Sequence, residues 1–259
     1  PRLKKPGRPK KEVYPEIINI VEESYKETKL GPVALERWIE KNRNIHIPHN
    51  TIYRIMDKKG LIKPNPKKRR QRKFVKFERK HSNSLWQGDI KELVLKNNER
   101  KYLIAFLDDA SRLITCYGLY NEPTTENVIK TLLKGFSLYG IPREILTDNG
   151  TQFIASRKDK NGNFKHRFKE FLDKYRIKHI RARVHHPQTI GKIERWFGTV
   201  EKKLPLFDYD LDKLVYMYNN QWPHLSLWFE IGETPKEAFL RKLPPENILG
   251  MFLSLVEKR

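Results

Sequence analysis

The sequence predicts an α/β domain built on a mixed five-stranded sheet in the order βββ-α-β-α-β-α, preceded by a small all-α unit. Three observations lead there. Over residues 13–61 the apolar residues recur at helical spacing. After residue 82 the texture changes to strand-like runs, hairpins first. From Pro123 onward, helical and strand patterns alternate, which places helices on both faces of a sheet.

Taken in order, residues 1–12 form a basic arm with Pro and Gly, in which Gly7-Arg8-Pro9 resembles a minor-groove hook. Val13, Ile17, Ile18, Val21 and Tyr25 mark a first helix. A second follows Gly31-Pro32 and buries Leu35, Trp38 and Ile39. A third starts after Pro48, with Ile52, Tyr53 and Met56 inward and Gly60 ending it. Three short helices with a turn near Asn44–Pro48 read as a helix-turn-helix DNA-binding domain over residues 13–61, although a purely structural three-helix unit has the same pattern. In the DNA-binding geometry the third helix enters the major groove, led by Asn50, Thr51 and Arg54. Residues 62–81 form a basic linker.

The core is expected over residues 82–240. Leu85–Leu95 reads as a strand, and Asn97-Asn98 turns it into a second at Tyr102–Leu107, whose unbroken apolar run suits cover on both faces. Leu113–Tyr120 is a third strand. Pro123 opens an amphipathic helix burying Val128, Ile129, Leu132, Leu133 and Phe136, closed by Gly140. A strand at Glu144–Thr147, a helix at Phe164–Tyr175 and a strand at Lys178–Ala182 follow. Helices at Gln188–Lys203 and Leu211–Asn220 complete the core, and residues 241–259 form a tail.

Composition bounds the function. The 259 residues carry 53 Lys/Arg against 31 Asp/Glu, a net charge of +22, with 38% hydrophobic residues. A packed core is therefore within reach and whole-chain disorder is not expected. Lys58–Lys80 holds twelve basic residues and one acid, Glu78, and includes the run Lys67, Lys68, Arg69 and Arg70. Such a stretch favours phosphate through counterion release, although a plain solvated linker has the same composition. Cys116 is the single cysteine, which excludes intramolecular disulfides and cysteine-based zinc sites. No run approaches eighteen apolar residues and no secretory pattern opens the sequence, so no membrane partner is expected, and the chain is placed in the cytoplasm with the nucleoid.

Three acids sit in unusual places. Asp89 lies mid-strand between Leu85 and Leu93, with Trp86, Ile90 and Val94 on the opposite face. A carboxylate there needs a metal, or else a neighbouring Lys or backbone donors. Asp148 directly follows a strand, where α/β sheets collect ligands, though Asp-Asn-Gly is also an ordinary turn. Glu194 lies at the edge of a helical stripe formed by Ile190, Ile193, Phe197 and Val200. Its neighbours three and four positions away are Ile190, Gly191, Phe197 and Gly198, so no intrahelical salt bridge explains it. Carboxylates converging from these three positions suit two Mg²⁺ ions, with Mn²⁺ able to substitute. Lys192 and Arg195 flank Glu194 and are candidate DNA contacts, with solvated helix charges as the alternative. His185-His186 and Asp108-Asp109 are read as a loop motif and a hairpin turn, respectively.

Residues 82–240 resemble the catalytic core of retroviral-integrase-like transposases from prokaryotic insertion sequences, the acidic-triad recombinases. The resemblance rests on WQGD at Asp89, TDNGTQF at Asp148 and HPQTIGKIER at Glu194–Arg195, followed by YNNQWPHLSL and ETPKEAF. It implies a ribonuclease H-like fold, with Asp89, Asp148 and Glu194 as the metal-binding catalytic triad. It also implies an enzyme that binds element ends, exposes a 3′-OH and joins it to target DNA, working on double-stranded DNA as a homodimer or higher multimer. A hydrolytic nuclease or a catalytically silent DNA-binding regulator are the alternatives. Three departures from the family pattern stand out. The second and third acids are 46 positions apart, wider than usual, which fits an insertion within Ala155–His166. Trp222 stands where the family carries Arg, and Leu225 where it carries Gln.

Overall fold

The computed structural model describes residues 13–62, 78–96, 98–154, 166–182 and 190–246, and the chain divides into two compact units, Pro1–Arg70 and Gln71–Arg259. The basic arm, the run Lys67–Arg70, most of the Ala155–His166 insertion and His185-His186 lie outside the described residues. Among the described residues no helix is long and apolar enough to cross a membrane.

The first unit holds three helices, α1 (Pro15–Thr28), α2 (Pro32–Arg43) and α3 (His49–Lys58). Pro opens α1 and α2 at the first turn, where its missing N–H costs nothing, and left-handed Lys29 and Asn44 close them. Val21, Leu35, Trp38, Ile39, Ile52, Ile55 and Met56 form the core. On α3 the inward residues are therefore Ile52, Ile55 and Met56, an i, i+3, i+4 set. Tyr53, expected inside, is 44% exposed because its position lies about 100° around the helix from Ile52.

The second unit is a five-stranded sheet in the order β3-β2-β1-β4-β5, with β1 (Leu85–Val94), β2 (Arg100–Asp108), β3 (Ile114–Tyr120), β4 (Glu144–Thr147) and β5 (Lys178–Arg181). β1, β2 and β3 pair antiparallel, whereas β4 and β5 run parallel to β1. The crossover to β4 is α4 (Thr125–Tyr139), capped by the Thr124 hydroxyl accepting from Asn127 N–H, and the crossover to β5 is α5 (Arg167–Lys174). Both helices pack on one face through a cluster that includes Trp86, Phe106, Val128, Leu132, Phe168 and Leu172. Leu133, expected inside, faces out.

α6 (Gly191–Lys203) packs on β1 and β2, and α7 (Leu211–Asn220) and α8 (Pro235–Arg241) follow it. Asn219 pins α7 to β3 by a two-way exchange: Ile114 N–H donates to its Oδ1 and its amide donates to Ile114 C=O, each at 3.0 Å. α8 begins with a full capping box between Thr234 and Glu237, in the ETPKEAF stretch. Beyond residue 240 the chain stays bonded to the core, because Ser82 N–H donates to Lys242 C=O and Lys242 Nζ reaches Ala110 C=O. Trp222 is buried beside Phe207 and Tyr218, with the Lys203 ammonium over its ring, so this position serves packing.

Candidate active site

The sheet ladder brings two of the three acids together. β1 and β4 pair in parallel through Leu85–Glu144, Trp86–Ile145 and Gln87–Leu146. That pairing ends two residues short of Asp89 and Asp148, and Asp148 lies near enough to raise the Asp89 pKa. Asp89 is half-buried on a strand whose first four residues are buried, and its Oδ1 accepts from the Ile90 N–H at 2.7 Å. The strand emerges after it, with Val94 54% exposed. On the opposite face, Gly88 lies under Phe106, and a Cβ there would meet the ring at 2.2 Å. Asp148 caps its own turn by accepting from Gly150 N–H at 3.1 Å, so the ordinary-turn reading and the site reading describe the same residue.

Glu194 arrives on α6 with its carboxylate exposed. Asp89 feels both other acids. Burial first, then the Asp148 and Glu194 carboxylates, push its pKa up to about 6, against the lowering effect of the Ile90 N–H and Lys91. Among the described residues no group of three His, Cys, Asp or Glu side chains has the geometry to hold a metal ion as placed. The donor set nonetheless fits a hard divalent cation: three carboxylates from a strand, a strand end and a helix, one of them destabilised as an anion by burial and by the other two.

Of the expected DNA contacts, Asn50 and Arg54 are exposed on α3 and Thr51 is half-buried, and the Arg54 Nε–H donates to Asn50 C=O at 3.3 Å. Arg195 is exposed on α6. Lys192 is oriented differently from Arg195. Its ammonium turns inward, donating to the Asp109 carboxylate and, at 3.1 Å, to the Asp109 C=O, because a buried carboxylate draws the nearest cation.

Asp108 and Asp109 do form the turn expected of them, but both carboxylates are buried. Asp108 accepts from Asn83 N–H, Ser111 N–H and the Ser111 hydroxyl; burial still raises its pKa to about 6. Asp109 accepts from Gln87 and from Arg79 N–H. The available signal was a pair of acids directly continuing an unbroken apolar strand. Another residue missed from the sequence is His179 on β5, whose Nε2 lies 2.9 Å from the Thr147 hydroxyl, one residue before Asp148.

Residues 79–187 match the family described as Integrase core domain. The chain is 34% identical over 175 residues to the Gag-Pro-Pol polyprotein of Mason-Pfizer monkey virus, covering 67% of this chain and 8% of that one. It is 30% identical over 190 residues to the "Putative integrase ORF3" of Spiroplasma virus SpV1-C74, covering 61% of this chain and 50% of that one. The chain thus spans half or less of these relatives. A chain of the simian T-cell lymphotropic virus intasome solved with the PP2A regulatory subunit B56 gamma superposes with a TM-score of 0.52 at 21% identity, covering 87% of this chain and 76% of that one. The shared fold is that of the ribonuclease H-like integrase core.

Proposed function

We propose that this integrase-core protein is a DNA recombinase of the insertion-sequence transposase type: it binds the ends of its element, cleaves DNA to expose a 3′-OH and joins that 3′-OH to target DNA. The observation that carries the reading is the electrostatic convergence of Asp89, Asp148 and Glu194 within a chain that matches the integrase core. These three carboxylates are the residues to hold two Mg²⁺ ions, or Mn²⁺ in their place. Bound there, the metal supplies activation of the attacking oxygen and stabilisation of the leaving oxygen in an in-line displacement at phosphorus. The chain's own task is to present the acids together and ionised. Without metal, burial and the two neighbouring acids raise the Asp89 pKa to about 6, and a divalent cation held there would favour its ionised form.

On this reading Asn50, Thr51 and Arg54 meet base edges. Lys67, Lys68, Arg69, Arg70 and Arg195 meet phosphate. The protein works on double-stranded DNA in the nucleoid as a dimer or larger multimer, in keeping with the intasome assembly of the structural relative. The test is an end-labelled duplex cut from the DNA flanking the gene, incubated with MgCl₂ or MnCl₂. Asp89→Asn, Asp148→Asn and Glu194→Gln should each abolish strand cleavage while leaving DNA binding intact. Cleavage without joining would reduce the activity to that of a nuclease, and cleavage retained in all three variants would overturn the site.

A further inference from the structure

The β1–β4 ladder fixes the strands that lead to Asp89 and Asp148, but α6 has no ladder, and side chains alone set its place over the sheet. Asp109, in the turn after β2, touches both elements. Its Oδ1 accepts from Gln87 Nε2 at 2.7 Å and from the Lys192 ammonium, while its Oδ2 is held by Arg79 N–H at 2.7 Å. Gln87 precedes Asp89 by two residues on the same face of β1, and Lys192 precedes Glu194 by two residues at the start of α6. One buried carboxylate, 3% exposed, therefore grips the neighbours of two candidate acids at once. At the far end of α6 the Lys91–Glu201 pair, 2.9 Å apart, is exposed to solvent and holds the helix weakly.

We propose, resting on the metal-site reading above, that Asp109 is a positioning residue: by holding Gln87 and Lys192 together it sets Glu194 against Asp89. The alternative is a buried ion pair that stabilises the fold and nothing more. Lys192→Met separates the two by sign. Removing a cation near a divalent site strengthens metal binding by Coulomb's law alone, whereas loss of positioning weakens it.

The probe is Mn²⁺, followed by the loss of its free electron paramagnetic resonance signal on titration with the full chain. Lys192→Met should weaken Mn²⁺ binding about tenfold or more, the cost typical of losing a residue that orients a ligand. Lys192→Arg, which keeps the cation, should recover most of that loss. In a Glu194→Gln background, Lys192→Met should weaken binding no further. Unchanged or tighter binding in Lys192→Met, or an equal loss in the Glu194→Gln background, would overturn the positioning role. If Asp89→Asn and Asp148→Asn bound Mn²⁺ like the parent chain, the carboxylate site itself would fall. If those two variants lost Mn²⁺ and Lys192→Met did not, only the positioning role would fall.

Discussion

Asp89 carries its charge at a cost. Its pKa rises from 3.8 to about 6 on folding, so the folded chain binds the proton more tightly and stability falls as pH rises between those values. Above pH 6 the full penalty persists. Asp89→Asn should therefore stabilise the chain by about 1–2 kcal/mol at pH 7.5, after allowance for its partial exposure, and by almost nothing at pH 4. Adding MgCl₂ to the parent chain should raise its melting temperature more at pH 7.5 than at pH 5, and Asp89→Asn should lose that gain. Melts at pH 4, 5 and 7.5 check both, and an effect of Asp89→Asn equal at pH 4 and pH 7.5, or an equal gain from MgCl₂ at pH 5 and pH 7.5, would contradict them. His179 works in the opposite sense: burial, then nearby cations, depress its pKa to about 4, leaving it neutral at physiological pH. The Thr147 hydroxyl gives its single proton to the Asp148 C=O, so His179 Nε2 must be the donor in their contact.

Each element around the candidate site is held by a different device. β4 is placed by backbone hydrogen bonds to β1, α6 by its buried face of Ile193, Trp196, Phe197 and Val200 together with the pair between Lys192 and Asp109, and α7 by Asn219. Asn219 lies in the YNNQWPHLSL stretch, and its amide satisfies both backbone groups of Ile114 where β3 begins. Asn219→Ala would strand both groups in a buried place, costing about 2–4 kcal/mol of stability. Urea denaturation measures this, and a cost under about half a kcal/mol would mean that water replaces the amide. The Lys192 side chain depends on tertiary contacts in the same way. A lysine beside a candidate catalytic acid reads from the sequence as a DNA contact, and only the position of Asp109 shows where its charge goes.

For the whole molecule the expected division of labour is specificity from the first unit and grip from the basic linker. Arg54→Ala should relax sequence preference, costing about 1–3 kcal/mol on end DNA if it makes a bidentate base contact. Neutralising Lys67, Lys68, Arg69 and Arg70 should weaken binding to every duplex and flatten the salt dependence by up to about one unit of slope for each phosphate no longer neutralised. Titrations at several salt concentrations, on end-sequence and scrambled duplexes, separate the two. Loss of specificity in the linker variant, with Arg54→Ala unaffected, would reverse the assignment.

The sequence by itself determined the order of elements, the α/β class and the three candidate acids. Periodicity, caps and turn residues act over a few positions, which is why Glu144–Thr147 and Leu211–Asn220 match their expected bounds. The WQGD, TDNGTQF and GKIER stretches likewise carry their acids in plain view. Which side chain answers which across the sheet was not legible. Tyr53 faces out, Trp222 packs inside, and Asp109 reaches a lysine 83 positions away. Those outcomes depend on strand register and helix placement. These are set by the summed burial of many residues and by buried charges that must find partners, and no local spacing encodes that sum.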